Sequence, residues 1–396
     1  MKIGLVLPDV PQYSETFFNY KIKGLTASGN EVMLFTGKKN TSRKDLNVIS
    51  AYPVSSSDVI TQSLMFLYVI LKTLLKSPKR MKKLLNLESK DGKSFPECLK
   101  SVYINSHILN EDLDVLHFGF TTMALKRENT ASAMNAKMSI SFRGYDINIY
   151  PLKNPGCYRK VWENTDKVHT ISDYLRVKAI TEGLPEKTPF MKITPAIDIK
   201  NICQANIREN IAEPRILTVG RLNWIKNYET SISAMKLLAD KGIKFTYEII
   251  GEGNELERLK FAVYQLGLEE RIIFAGKKDH DEVKDKMQNT DIYIQPSYEE
   301  GFCVSVLEAQ ASGLMCIVSD AEGLRENVID GETGWVVPGR NFRAFQEKIC
   351  EVIEMKASDR KKISDNARAR VEREFNIEDQ NNKFREFFET MLNRAN

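Results

Sequence analysis

The sequence predicts an α/β protein of two domains, each built on a parallel sheet. Three observations carry that prediction. Short apolar runs recur along the chain with helical stretches between them, the alternation that parallel sheets require. The 396 residues are too many for one ordinary hydrophobic core. Periodicity lapses between Pro195 and Pro214, which splits the alternation into two halves.

The chain opens on Lys2-Ile3-Gly4-Leu5-Val6-Leu7-Pro8, which reads as a buried strand running into a loop and not as a leader peptide. Further strands of the first half are predicted at 31–36, 47–53, 114–118, 137–142, 167–171 and 191–194, with helices at 15–28, 58–85, 121–133 and 173–183. The second half predicts strands at 215–219, 245–250, 271–275, 291–295, 315–318 and 334–337. Its helices are predicted at 227–241, 254–266, 281–288, 304–312, 323–329, 342–354 and 358–373. A last helix, 377–394, has Phe384, Phe387, Phe388 and Leu392 at helical spacing and is expected to pack back across the first domain. The domains are therefore drawn as 1–198 with 375–396, and 199–374.

Composition narrows the function classes. A chain 42% hydrophobic and 28% charged is a soluble globular type with little room for long disorder. Its 57 basic and 53 acidic residues nearly cancel, and no basic stripe with interleaved aromatics suggests nucleic-acid binding. Cysteines 98, 157, 203, 303, 316 and 350 are scattered without a C-x-x-C pair, which argues against a disulfide framework or a zinc site and for a reducing cytoplasm.

Ligands of open parallel sheets bind beyond the carboxyl ends of the strands, so site residues should follow strands. Glu300 and Glu308 lie on either side of the turn from strand 291–295 into helix 304–312, Glu300 in the turn and Glu308 about one turn into the helix. The start of a helix suits a phosphate. Two carboxylates beside an anion site make sense when the ligand also carries hydroxyls, as a nucleotide-sugar does. Arg221 and Lys226 follow strand 215–219 and the turn residue Gly220, and two cations there would offset a bound diphosphate. Read singly, each of these four is an ordinary solvated surface charge; together they are not. Gly251-Glu252-Gly253 lacks the third glycine of a dinucleotide fingerprint and is read as a turn near the nucleotide. Gly276-Lys277-Lys278 is expected to offer backbone contacts to the base. His117 ends strand 114–118 and would line the acceptor side, with a satisfied structural histidine as the plainer reading. Ser14 and Glu15 open the first helix, Ser14 as an N-cap.

The second half resembles a retaining GT-B glycosyltransferase of family 4. The resemblance rests on Val219-Gly220-Arg221 with Lys226, Gly251-Glu252-Gly253, Glu300 and Glu308, and Gly323-Leu324-Arg325-Glu326-Asn327-Val328 ahead of Gly331-Glu332-Thr333-Gly334. Ser14-Glu15-Thr16-Phe17 and Phe142-Arg143-Gly144-Tyr145-Asp146 resemble the subset that builds capsule, exopolysaccharide or colanic-acid-type glycans. The resemblance implies two Rossmann-like domains facing across a cleft, with a UDP- or GDP-sugar as donor and no metal or other cofactor. It implies that Arg221 and Lys226 hold the diphosphate, that Glu308 accepts ribose hydroxyls and Glu300 those of the donor sugar, and that N–H groups of Phe302, Cys303 and Val304 beside Gly301 meet the diphosphate or sugar. The sequence departs from the family twice. Cys303 stands where glycine is common, in a backbone role; Arg143 stands where the family has histidine near the donor sugar. Arginine cannot serve as a base near neutral pH, so Arg143 is read as a binding residue for an altered donor or a charged acceptor. Two other readings remain: an inactive GT-B scaffold in a glycan-assembly complex, and a sugar-nucleotide epimerase of the same fold.

One segment answers to neither core nor site. Residues 64–71 are wholly apolar, and Lys72, Lys76, Lys79, Arg80, Lys82 and Lys83 follow. Segment 64–83 would suit an anionic membrane surface, with a core helix and a solvated charged end as the rival reading. Lipid-linked or saccharide acceptors and a place on the inner membrane face fit the first.

Overall fold

A computed structural model describes residues 1–11, 16–37, 43, 45–54 and 58–392. Ser14 and Glu15 lie outside these residues. The chain forms two compact units: Met1–Ile193 with Asn381–Asn396, and Thr194–Gln380. The division falls at 193/194 where the sequence reading put 198/199. Ile193 packs in the first unit's core, whereas Ile197 already bridges Asn376 in the second.

The first unit carries seven parallel strands: β1 (Lys2–Leu7), β2 (Glu31–Thr36), β3 (Asn47–Ser50), β4 (Val115–Phe118), β5 (Lys137–Phe142), β6 (Lys167–Thr170) and β7 (Phe190–Lys192). Their order is β3-β2-β1-β4-β5-β6-β7. The second unit has six, also parallel: β8 (Arg215–Val219), β9 (Thr246–Ile250), β10 (Ile272–Gly276), β11 (Ile292–Gln295), β12 (Met315–Ser319) and β13 (Trp335–Val337), in the order β10-β9-β8-β11-β12-β13. Every predicted strand is present. The order reverses between β1 and β4 in one sheet and between β8 and β11 in the other. At such switch points adjacent loops leave in opposite directions and open a crevice.

The helices differ more from expectation. The predicted helix 58–85 is two: α2 (Val59–Lys76) and α3 (Pro78–Lys90), broken at Ser77 because Pro78 has no N–H to continue the ladder. Stretch 121–133 divides into a 3₁₀ turn, Thr121–Ala124, and a short helix, Thr130–Met134, with Lys126 at φ 65° between them. The C-terminal helix Ile377–Leu392 does cover the first sheet: Phe384, Phe387, Phe388 and Met391 pack with Ile3, Leu25, Val115 and Ile193. Gly24, in α1 (Thr16–Ala27), lets that helix approach; a Cβ there would lie 2.2 Å from Asn381 Oδ1.

Helix α4 (Phe95–Leu109) has no counterpart in the sequence reading. Its centre is buried on most sides, with Ser101, Asn105, Ser106 and His107 among the buried residues, so it shows no polar stripe to betray a helical period. A capping box does announce it, with Glu97 accepting from the Ser94 N–H at 2.8 Å.

Helix α2 lies along α4, where Phe66 stacks on Tyr103 at 5.4 Å and Val69 and Thr73 are buried. Its opposite side is also apolar and is exposed: Ile60, Leu64, Leu67, Leu71 and Leu75 follow helical spacing, and Leu75 is 85% exposed. The core-helix reading of this segment therefore fails. By length and composition alone α2 is apolar enough to cross a membrane. The basic residues beyond it are partly spoken for. Lys76 pairs with Glu111 at 2.9 Å, Arg80 with Asp112, and Lys72 donates to the Tyr52 hydroxyl at 3.0 Å.

Candidate active site

The loops after β8 and β11 carry Arg221, Lys226 and Glu300, and both leave the sheet at its switch point. They are fastened to each other. Asn227, in the left-handed conformation at φ 52°, donates to the carbonyls of Pro296 at 3.0 Å and Gly339 at 2.9 Å. The Tyr298 N–H donates to the Ile225 carbonyl at 2.7 Å. The Tyr228 hydroxyl holds the Gly220 carbonyl at 2.8 Å.

This frame brings Lys226 and Glu300 together as an ion pair, with side chains 15% and 11% exposed. Ser297 Oγ donates to the same Glu300 oxygen at 2.9 Å. Burial alone pushes the Lys226 ammonium down, but the charge of Glu300 more than compensates and holds its pKa above the usual value. Arg221 is near enough to oppose that charge. It is itself exposed and has no carboxylate partner among the described residues. The loop thus holds one cation that is neutralised and a second that is not.

The glycines of the β9 loop explain themselves by backbone packing. At Gly251 (φ 149°) a Cβ would lie 2.0 Å from the Gly220 carbonyl oxygen; at Gly253 (φ 159°) it would lie 2.2 Å from that of Leu222. The loops are laced by Gly220 N–H to Ile250 O (2.9 Å), Leu222 N–H to Glu252 O (2.9 Å) and Gly251 N–H to Gly276 O (2.8 Å). Gly251 and Gly253 hold the Gly220–Leu222 segment in place. Lys277, in the next loop, is exposed with its Nζ 3.8 Å from Glu252.

Around the start of helix Val304–Ala311 the structure corrects one expectation. The Cys303 N–H is already committed, donating to Asn327 Oδ1 at 2.9 Å, while Asn327 Nδ2 donates back to the Cys303 carbonyl at 3.0 Å. It therefore cannot also meet a diphosphate. Phe302 is buried against Phe375, with ring centroids 5.6 Å apart. The cysteine thiol is buried too, and burial pushes its pKa up, so it stays a thiol. Gly301 is packed from behind: a Cβ on Gly323 would lie 2.3 Å from the Glu300 carbonyl oxygen and 2.6 Å from that of Gly301. Thus the motif containing Gly323 and Asn327 buttresses the turn that presents Glu300.

Glu308 is mostly buried, and desolvation raises its pKa to about 7, with Lys284 opposing weakly. Its neighbour His280 Nε2 is 3.4 Å away, and burial lowers that imidazole's pKa. His280 was missed in the sequence. It sits at the start of helix His280–Gln288, behind the Asp279/Glu282 capping box that could have drawn attention to it.

In the first unit His117 is not a site residue. It is fully buried and hydrogen-bonded on both nitrogens: Nδ1 to Ser139 Oγ at 2.8 Å, and Nε2 to Ser141 Oγ at 2.9 Å and Lys21 Nζ at 2.7 Å. Its ring meets Phe387 and Phe388 edge-on. A strand-end histidine could have faced either side of β4; this one faces the C-terminal helix and is sealed there. Arg143 is different. Its guanidinium lies over the rings of Phe17 and Phe18 at 4.3 and 4.9 Å, and its buried Nε has no hydrogen-bond partner.

Comparison with known proteins bears on the family and the fold. Residues 203–370 match the family of glycosyl transferases group 1. Over 393 residues the chain is 24% identical to the putative colanic acid biosynthesis glycosyltransferase WcaL of Escherichia coli, covering 95% of this chain and 96% of that one. It is 28% identical over 275 residues to the amylovoran biosynthesis glycosyltransferase AmsK of Erwinia amylovora, 67% of each. Among solved structures, sucrose-phosphate synthase from Thermosynechococcus elongatus superposes over 100% of both chains with a TM-score of 0.76 at 18% identity. Anabaena Alr3699/HepE in complex with UDP and glucose gives 0.73 at 15% identity, over 98% of this chain and 100% of that one.

Proposed function

We propose that the chain, which has the GT-B fold, is a glycosyltransferase of group 1 that moves a sugar from a nucleotide-diphosphate donor to a saccharide or lipid-linked glycan in exopolysaccharide biosynthesis. The observation that carries this reading is the buried Lys226–Glu300 pair beside the unpaired Arg221 at the β8/β11 switch point. A diphosphate brings roughly two negative charges, which Arg221 and Lys226 match. As the diphosphate engages Lys226, Glu300 is freed to accept hydroxyls of the donor sugar, and Glu308 accepts those of the ribose. The two cations stabilise the leaving diphosphate without a metal. Displacement then proceeds on the face the diphosphate leaves, with retention, and the departing phosphate takes the acceptor's proton. No protein nucleophile is needed.

The exposed face of α2 supplies the second half of the proposal: contact with a membrane at its cytoplasmic face, where a lipid-linked acceptor would be met. Five aliphatic side chains on one exposed stripe favour insertion among acyl chains. Lys79 and Lys82, exposed and without carboxylate partners among the described residues, add attraction to anionic headgroups.

The first test is a thermal-shift screen of UDP-, GDP- and ADP-sugars against the whole chain. One base should raise the melting temperature, since a ligand of the folded state stabilises it. The shift should vanish in Arg221→Ala. No shift with any of the three nucleotides would sink the donor assignment.

A further inference from the structure

Among the described residues, no carboxylate is hydrogen-bonded to the Arg143 guanidinium. Its nearest carboxylate, Asp146, is occupied: it accepts from the N–H groups of Thr121 at 2.9 Å and of Arg143 and Gly144 at 3.0 Å each. Burial lowers the Arg143 pKa to about 10, and the charge of Asp146 only partly opposes it. The other polar groups near the guanidinium are Lys21, His117 and His169, all buried and none of them anionic. The two phenylalanine rings hold the guanidinium in place and cover part of it, leaving the side chain half-buried. A desolvated guanidinium normally has a carboxylate in its fork. This one has none among the described residues, although it sits just past β5 in the loop beside the first sheet's central strands.

We propose that Arg143 is a specificity-determining residue that receives the carboxylate of an acidic sugar. The inference rests on the glycosyltransferase reading and names the substrate class that reading leaves open. A carboxylate is favoured over a phosphate by charge count. The single accessible guanidinium matches one negative charge, and Lys21 is too deeply buried to share a second. The planar fork binds a carboxylate through two parallel N–H···O bonds. The acidic sugar is either the one transferred or the one at the acceptor's end.

Two pairs of probes separate these sources. UDP-glucuronate against UDP-glucose, with GDP-mannuronate against GDP-mannose, tests the donor. A glucuronate-terminated disaccharide against its glucose-terminated counterpart, at saturating UDP or GDP, tests the acceptor. In one arm the acidic member should bind roughly ten- to a hundredfold more tightly, the strength expected of a charge-assisted pair. Arg143→Gln and Arg143→His should bring that ratio close to one while leaving the neutral member's affinity in place. Arg143→Lys, the variant least disruptive to folding, should retain only part of the preference. Equal affinity for both members in every pair, or a preference that survives in the variants, overturns the proposal. UDP and GDP without sugar keep the two readings apart. If neither nucleotide binds, the donor site is misassigned; if one binds and the carboxylate makes no difference, only the role of Arg143 fails.

Discussion

Both units gather titratable side chains beside the centre of a parallel sheet, and they use them in opposite ways. In the first, Lys21 bonds His117 directly, Ser141 links His117 to His169, and the aromatic face of the C-terminal helix closes over them. Lys21 Nζ lies 4.4 Å from the Phe384 ring centroid. Burial drives the pKa of all three well below their ordinary values. In the second, Lys226 and Glu300 keep opposite charges on loops beyond the strand ends, with Arg221 exposed beside them. A polar cluster that is internally satisfied stabilises; a pair that a ligand can take apart can function. Density of ionisable residues does not distinguish the two.

The comparison is broken most directly at Glu300. Glu300→Gln should lower kcat on the order of a hundredfold or more, with a smaller change in donor affinity, because the lost acceptor acts on the transferred sugar. A parent rate in a radiolabelled-sugar transfer assay would remove Glu300 from the site. Lys226→Ala should be worse for folding, since it leaves a buried carboxylate uncompensated, at a cost of about 3–5 kcal/mol. The double variant Lys226→Met, Glu300→Gln should recover most of that stability in urea titration and none of the rate. The mirror experiment in the first unit is His117→Ala. It should cost about 1–3 kcal/mol by stranding buried hydrogen-bonding groups, yet leave kcat and KM at the parent values at a temperature where the variant is folded.

Acidity should separate the units as well. His117 and His169 have folded pKa values below the ordinary 6.5, so the unfolded chain binds the extra protons. Their stabilising contribution is present above about pH 6.5 and is lost as the pH falls below it. Glu308 has the opposite shift, raised from 4.5 to about 7. Its stabilising contribution is present below pH 4.5 and is lost as the pH rises toward 7. Ribose hydroxyls, however, need the ionised form. Glu308→Gln should therefore raise the melting temperature at pH 8 by a few degrees and weaken donor binding about tenfold. Its donor affinity should also stop falling as the pH drops through 7. A variant that is no more stable at pH 8 would show that this carboxylate carries no burial cost.

These contrasts mark what was legible in the sequence. Interior strands were easy because a parallel strand buried on both faces is a continuous apolar run, whereas the edge strands β3 and β7 are shorter and more exposed. The charged residues of the second site were legible because they follow strands. Helix α4 was not, since a helix buried on most sides hides its period. His117 also followed a strand, but alternation does not say which face of a two-sided sheet carries the ligand. The Cys303–Asn327 clamp was invisible for a simpler reason: the partners are 24 residues apart, and nothing local announces their contact. Gly251 and Gly253 mark a turn in the sequence, but nothing local announces that backbone of the β8 loop lies against them.

The smallest expected effect concerns α2, which neither cluster explains. With Lys76 and Arg80 already paired to acidic residues, electrostatics is a secondary contribution and the aliphatic stripe carries the binding. Leu64→Ser with Leu71→Ser should reduce sedimentation with vesicles of anionic lipid by severalfold. Neutralising Lys79 and Lys82 should reduce it less, and raising the salt concentration from 0.1 to 0.5 M should have a similarly modest effect. Neither pair touches the strand-end site, so transfer to a soluble acceptor should proceed at the parent rate. Folding should be spared too, because Leu64 and Leu71 are 65% and 49% exposed. Vesicle binding that disappears in salt but survives the serine substitutions would reverse the order and make the lysines, not the leucines, the membrane-facing element.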